Sequence, residues 1–321
     1  MSAPPAYQRR LHWFAISTVL VLMTTLSAGA LVTSKNAGMA FRDWPTSDGQ
    51  PMLSYPWWQD FASNWDKFLE HGHRLAGVLI GCWVIALVGL VNWYEERGWV
   101  KGLAFGLLAG VIIQGILGGF RVQLDERGLA LVHGFFAACV TALLATTVTV
   151  LSMGWFRAAE VFQQVRVGWA KPLAVVLLGL IVAQYLLGGA IRHHHTGLHE
   201  HLGLGIVIGL MAIVNAVVSH RTGAGWLRTS GWGLLLAVLV QIALGAGAWI
   251  VKWGWAGSGY VATADSISQV AVRSLHMVFG ILVFASAVVH TLRVFRVASV
   301  SHAEAAAEEY VPVLKTRGGV V

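Results

Sequence analysis

Residues 73–81 read HRLAGVLIG, and residues 201–209 read HLGLGIVIG. In each, a histidine is followed four and eight residues later by glycine, inside an otherwise apolar run. A second pair of stretches behaves alike: His133-x-x-Phe136-Ala137 matches His276-x-x-Phe279-Gly280. A third pattern, Gln-x-x-Leu-Gly, starts at Gln114, Gln184 and Gln241, with a looser version at Met23-x-x-Leu26-Ser27-Ala28. No one match decides anything. Their order along the chain predicts a duplication, and a repeat fixes architecture before any other feature does.

Working outward, eight apolar segments carry these patterns, at roughly 11–33, 71–93, 101–120, 129–152, 170–191, 198–219, 229–251 and 272–292, each close to the ~20 residues that cross a bilayer core. Lipid offers no partner to backbone N–H and C=O groups, so the segments must be helices. The first histidine pattern recurs in the second and sixth segments, the other in the fourth and eighth. The repeat unit is therefore four helices, and an even number makes the two units parallel about an axis along the membrane normal. The expected fold is an all-α membrane protein of eight transmembrane helices in two pseudo-symmetric four-helix bundles, residues 1–160 with an outer loop at 34–69, and residues 161–321. Glycines four apart are expected to let neighbouring helices approach closely.

Composition agrees with a membrane chain. Of the 321 residues 56% are hydrophobic and 12% charged, and the mean hydropathy is +0.67. So few charges cannot cover a water-soluble surface. The pI near 9.7 raises nucleic acid as a partner, but no basic stripe or basic helix exists to bind it. The basic excess reads as topology. With the N-terminus inside, the inner segments hold thirteen of the 22 Lys and Arg, from Arg9 and Arg10 through Arg97, Lys101, Arg157, Arg166, Lys171, Arg221, Arg228, Arg293 and Arg296 to Lys315 and Arg317. That satisfies the positive-inside rule with both termini cytoplasmic. Ala28-Gly29-Ala30 resembles a signal-peptide cleavage site, but the run before it is long for one, and cleavage there would break the repeat. Cys82 and Cys139 lie inside apolar runs with no metal or redox spacing and read as packing residues.

Ionisable groups inside a bilayer are functional hypotheses by default. Four of the 13 histidines, His73, His133, His201 and His276, take repeat-equivalent places near the outer ends of their helices. Two imidazoles facing each other across a bundle, with small residues beside them, can hold a haem iron. His193, His194, His195 and His199 read as outer-loop residues; a surface metal site or a propionate contact is the sharper alternative. His71 points to another side of its helix from His73, and His12 and His302 read as interfacial or tail-borne. A stacked two-haem arrangement based on His276 and His290 lacks a matching pair, because His201 and His220 are 19 residues apart and about 100° off one helix face. Glu70 precedes His73 by three residues and shares its face, with Arg74 as a charge partner for Glu70 or for a haem propionate. Leu198 takes the place of Glu70 in the second unit, so the halves are alike in iron ligation and unlike in acid chemistry. The inner halves of the helices read as almost wholly apolar. The aromatics of loop 34–69 (Trp44, Tyr55, Trp57, Trp58, Phe61, Trp65) read as interface anchors or as a lid over an outward-facing pocket.

The pattern resembles the haem A synthase family, membrane enzymes that convert haem O to haem A for haem-copper oxidases. The resemblance covers nearly all eight spans. It is carried by Glu70-x-x-His73-Arg74, by Gly29-Ala30-Leu31-Val32-Thr33 running into Ala37-Gly38-Met39 and Asp43-Trp44-Pro45, and by His201 and His276. It implies an oxidoreductase acting on a CH group. His73 and His133 would ligate the substrate haem O, His201 and His276 a resident haem b, and Glu70 would act at the methyl group as it passes through an alcohol to the formyl. It also implies haem O synthase and haem-copper oxidase assembly partners, a lipid setting, the inner (plasma) membrane, and a homo-oligomer as one form. Two departures stand out. The first outer loop lacks the cysteine pair of many bacterial members, and the link near His193–Glu200 is short. A di-haem b-type electron-transfer cytochrome would use the four histidines without needing Glu70; a transporter would need polar residues along the full membrane depth.

The topology is open to a direct check. A reporter fused after Val321 should be active only in its cytoplasmic form; periplasmic activity would invert the assignment and move the four histidines to the inner side.

Overall fold

A computed structural model describes residues 7–317, with side chains throughout except those of Arg127 and residues 302–317. His302, Lys315 and Arg317 thus lie outside the described side chains, and Val321 outside the described residues. The helices are α1 (Arg9–Ser34), α2 (Asp60–Ser63), α3 (Trp65–Tyr94), α4 (Gly98–Leu124), α5 (Arg127–Val150), α6 (Met153–Val161), α7 (Ala170–His194), α8 (Leu198–Arg221), α9 (Gly225–Trp253) and α10 (Ile267–Arg317). Among the described residues, eight of them are long and apolar enough to cross a membrane: all but α2 and α6. This chain is an all-α, multi-pass membrane protein.

Local chemistry sets the ends of these helices. Asn64 caps α3, its side chain accepting from the Lys67 N–H at 3.1 Å, so α3 begins at Trp65. That is about a turn and a half earlier than the hydropathy places it, because Asp66, Lys67 and Glu70 interrupt the apolar run without interrupting the helix. Between α7 and α8 the chain reverses within three residues, with His195 at φ +58° and Gly197 at φ +83°. A glycine suits the second position because an L side chain there would crowd its own backbone. The sequence reading of His193 and His194 as loop residues is corrected here: both belong to the last turn of α7, and His199 to the first turn of α8.

α1 packs on α3, α3 on α4, α4 on α5, and α5 returns to α1; α7, α8, α9 and α10 form a second closed set in the same sense. The sets meet where α10 lies against α5 and α1, and α5 against α7. Leu87, Leu107, Leu144, Leu177 and Ile281 are fully buried in the common core. Ile85, Ile112, Ile206 and Leu236 stand exposed on the outside, as side chains that face lipid do. Polar contacts also tie the seam: Ser274 Oγ donates to the Ala30 carbonyl (3.2 Å) and to Ser34 Oγ (2.9 Å), and Tyr185 donates to the Gly134 carbonyl (3.0 Å).

One expectation about the membrane interior fails. The inner halves are not almost wholly apolar, because His290 is fully buried in a polar nest. Its Nε2 pairs with Asn215 Nδ2 (3.0 Å) and approaches Ser219 Oγ (3.4 Å), and its Nδ1 pairs with Ser230 Oγ (2.8 Å). The four residues come from α8, α9 and α10, so they fall on no single periodic face. Polar groups that meet across helices in lipid act as cross-links.

The seam yields a stability prediction. Ser274→Leu adds bulk where Ala30 and Ser34 are buried and removes both hydrogen bonds, so unfolding in detergent should become easier by about 1–3 kcal/mol. A thermal-unfolding midpoint equal to that of the unsubstituted protein would refute the close packing described at this seam.

Candidate functional site

The four histidines are positioned by one device used four times. Each imidazole stands against a glycine of the preceding membrane helix, so close that an added Cβ would clash with the ring at Gly29 and crowd it at the other three. A Cβ on Gly29 (α1) would lie 2.8 Å from His73 Cε1, on Gly118 (α4) 3.2 Å from His133 Cε1, on Gly188 (α7) 3.3 Å from His201 Cε1, and on Gly245 (α9) 3.1 Å from His276 Cε1. The last three glycines end the Gln-x-x-Leu-Gly repeats, and the glutamines serve the same histidines. Gln114, Gln184 and Gln241 donate Nε2–H to the backbone carbonyls of His133 (3.0 Å), His201 (2.9 Å) and His276 (2.9 Å). On α1, whose version of the repeat has no glutamine, the Thr25 carbonyl lies 3.1 Å from His73 Nδ1. A carbonyl can only accept, so His73 carries its proton on Nδ1 and keeps the Nε2 lone pair free.

The glycines singled out by spacing behave differently from expectation. Gly77 and Gly81 face open space, with nothing within 4 Å of an added Cβ, whereas Gly205 and Gly209 meet Gln184 and Ile242 at 3.3 and 3.2 Å. In the first half the four-residue spacing therefore leaves room beside His73 instead of bringing two helices together.

The imidazoles meet in pairs. His73 and His133 have ring centres 6.4 Å apart and planes at 87°; His201 and His276 are 6.3 Å apart at 83°. A metal with two opposed imidazoles needs about 2.0 Å per bond and about 1.1 Å from each nitrogen to its ring centre, roughly 6.2 Å in all. Both pairs have that separation. Among the described residues no group of three or more His, Cys, Asp or Glu could hold a metal ion, so a metal between two imidazoles would need its other ligands from a macrocycle. The residues fit a haem. His199 is exposed at the start of α8, and His194 and His195 are exposed too.

Glu70 lies one turn before His73 and Arg74 directly follows it; the two side chains are almost fully buried and paired at 2.7 Å. Glu70 Oε2 also accepts the N–H groups of Ala40 (2.7 Å) and Phe41 (3.2 Å). Arg74 Nη1 donates to the carbonyls of Asp43 (3.0 Å) and Thr46 (2.7 Å). Arg121, which spacing did not reveal, donates to the Gly38 carbonyl (3.0 Å), and His71 Nδ1 pairs with Ser47 Oγ (3.0 Å). The segment Gly38–Ser47 is thus tied over the outer end of α3 and α4 by four side chains, and Trp44 lies on Gly119. It continues into a two-stranded hairpin, β1 (Thr46–Ser47) and β2 (Gln50–Pro51), whose turn N–H groups at Asp48 and Gly49 are held by the Asp43 carboxylate. Burial opposes ionisation of that carboxylate, but these hydrogen bonds and one from Thr46 outweigh it and keep its pKa below the ordinary value. Burial and the neighbouring Asp60 push the Tyr55 phenol well above its ordinary pKa, so it stays a donor, 2.8 Å from Asp60. Beyond the hairpin, Trp57 stacks on Phe68 with ring centres 4.7 Å apart. Tyr55, Trp57 and Trp58 line an open cleft of about 400 Å³ that reaches His71 and Leu75.

The fold and its paired imidazoles define a class: polytopic membrane proteins with two facing histidine pairs at a separation that a metal can bridge. Residues 1–148 match the COX15-CtaA family model, described as a cytochrome oxidase assembly protein. Curated relatives are named haem A synthase. That of Geobacillus kaustophilus is 25% identical, over 74% of this chain and 82% of its own length. The Symbiobacterium thermophilum protein is 34% identical over 58% of this chain and 60% of its own length, and the Bacillus mycoides protein 23% identical over 89% of each. The chain is similar to these haem A synthases, in two of the three cases over most of its length.

The glycine device can be tested on one pair at a time. Gly245→Leu should displace His276 and abolish low-spin haem absorbance assigned to the second pair. Gln241→Ala, which removes one hydrogen bond and no space, should keep most of it. Equal retention in both variants would show that the glycine contact does not position the ring.

Proposed function

We propose that this protein is a haem A synthase, oxidising the methyl group of haem O to the formyl group of haem A through an alcohol. The observation that carries the reading is the asymmetry between the two histidine pairs. Beside His73 and His133 stand a buried carboxylate and its arginine; at the equivalent place beside His201 and His276 stands Leu198, the first residue of α8. A pure electron carrier has no use for a buried carboxylate beside one of its two pairs. An enzyme with a substrate site and a cofactor site needs two unlike ones.

In this reading residues 1–160 form the substrate half, with His73 and His133 as axial ligands to haem O. Residues 161–321 form the cofactor half, with His201 and His276 as ligands to haem b. When bound, haem b supplies a one-electron redox centre. The work of the chain's own residues is positional and electrostatic. Thr25 fixes the His73 tautomer, Gly77 leaves room at the edge of the site, and the loop tied by Glu70 and Arg74 keeps water from the outer end. Glu70, one turn from His73, accepts a proton from the reacting methyl group or steadies positive charge growing there. Its carboxylate touches Ala40, Phe41 and Arg74, so taking up this role requires exchanging one of those contacts for the substrate. The setting proposed is the plasma membrane with both termini cytoplasmic. Haem O synthase would supply substrate, and haem-copper oxidase assembly would consume product.

Glu70→Gln separates enzyme from electron carrier. It keeps size and removes charge and basicity. Cells that make haem O and express this variant should retain bound haem but accumulate haem O or its alcohol, with turnover reduced about 10²–10⁴-fold. Arg74→Gln, which breaks the same loop anchor but spares the carboxylate, should lose less. Haem A at unsubstituted levels in Glu70→Gln would remove Glu70 from the mechanism.

A further inference from the structure

The second half carries an unbalanced charge beside its histidine pair. Arg192, in the last turn of α7, donates Nη2–H to the Arg273 backbone carbonyl at 3.2 Å. Its Nη1 is fully buried and has no hydrogen-bond partner among the described residues. The charges close enough to Arg192 to interact with it include a second cation, Arg273, and it lies close enough to His276 for their charges to interact. Arg273 itself precedes His276 by three residues, one turn away on the same face of α10.

Among the described residues no acid forms an ion pair with either arginine. The ion pairs found among the described residues are Lys67–Asp48, Arg74–Glu70 and Arg97–Glu95, all in the first half. Glu200, near the start of α8, is exposed and makes no such pair. Tyr185, another neighbour of Arg192, spends its hydroxyl proton on the Gly134 carbonyl. A guanidinium taken out of water with an unfilled N–H is unfavourable unless an anion completes it, and planar carboxylates fit its fork best.

We infer that Arg192 and Arg273 are a receptor for the two carboxylates of the macrocycle held between His201 and His276. This rests on reading that pair as a haem site. The number of charges matches: two guanidinium groups for two propionates. The arginines are positioning residues: they set the rotation of the ring about the iron axis and, through their charge, its redox potential.

The test uses the full-length protein purified from cells that make no haem O, followed by optical redox titration of the low-spin haem b signal, with His73→Ala in every sample so that the first pair holds no haem. His201→Ala should abolish that signal. Arg192→Gln and Arg273→Gln should each lower the midpoint potential and the haem content, because an unpaired propionate favours the ferric state. Arg192→Lys, which keeps the charge, should stay close to the unsubstituted potential. If Arg192→Gln holds too little haem to titrate, Arg273→Gln and Arg192→Lys decide by the same criterion. Unchanged potential and haem content in both Gln variants, with the signal lost in His201→Ala, overturns the inference alone. A signal that survives His201→Ala overturns the site itself, and the inference with it.

Discussion

An imidazole in the bilayer interior must stand clear of its own helix, be held at one angle, and leave one nitrogen free, with no water to help. The structure meets this by setting each of four rings against a bare stretch of the neighbouring helix, at Gly29, Gly118, Gly188 and Gly245. Much else follows from that contact. Each histidine helix must pack directly on the helix before it, which makes the pairs α1–α3, α4–α5, α7–α8 and α9–α10 the units of assembly. Two such pairs brought face to face put two rings about 6.3 Å apart, and the closed set of four is the smallest body that does so.

Within this shared scaffold the halves part company through charge. The first keeps its balance internally, with a buried acid and a buried base one turn apart, and uses the pair to anchor a loop across the outer end. Beside its histidine pair the second carries Arg192 and Arg273, and among the described residues no acid pairs with either.

Much of this was legible in the sequence, and the limits are physical. Eight spans could be read because lipid admits only long apolar helices, and the four histidines because they recur in order. The Gln-x-x-Leu-Gly repeat was visible too, but its purpose was not: the glutamine and the glycine act on a different helix, and spacing within one segment says nothing about its neighbour. For the same reason the nest around His290 escaped notice, since Asn215, Ser230 and His290 come from three helices. Gly77 and Gly81 misled, because an i, i+4 glycine pair can open a gap as readily as close one. The early start of α3 was hidden by Asp66 and Lys67, charged residues that hydropathy treats as loop and a helix tolerates on its exposed first turn.

The paired glycines of α4 and α7 bear on how the chain diverged after duplication. Successive residues on a helix point about 100° apart, so Gly118 and Gly119 face different neighbours. Gly118 accommodates His133, and Gly119 takes the indole of Trp44 from the outer loop. On α7, Gly188 accommodates His201, while an added Cβ on Gly189 would meet Leu131 of α5, in the other half, at 3.5 Å. One dipeptide thus serves two trades. Its first glycine is committed to the imidazole in both places, and its second was free to be recruited, once for a loop and once for the joint between the halves. Similar proteins that keep the histidines but lose the outer loop should therefore relax at position 119 while staying fixed at 118, 188 and 189.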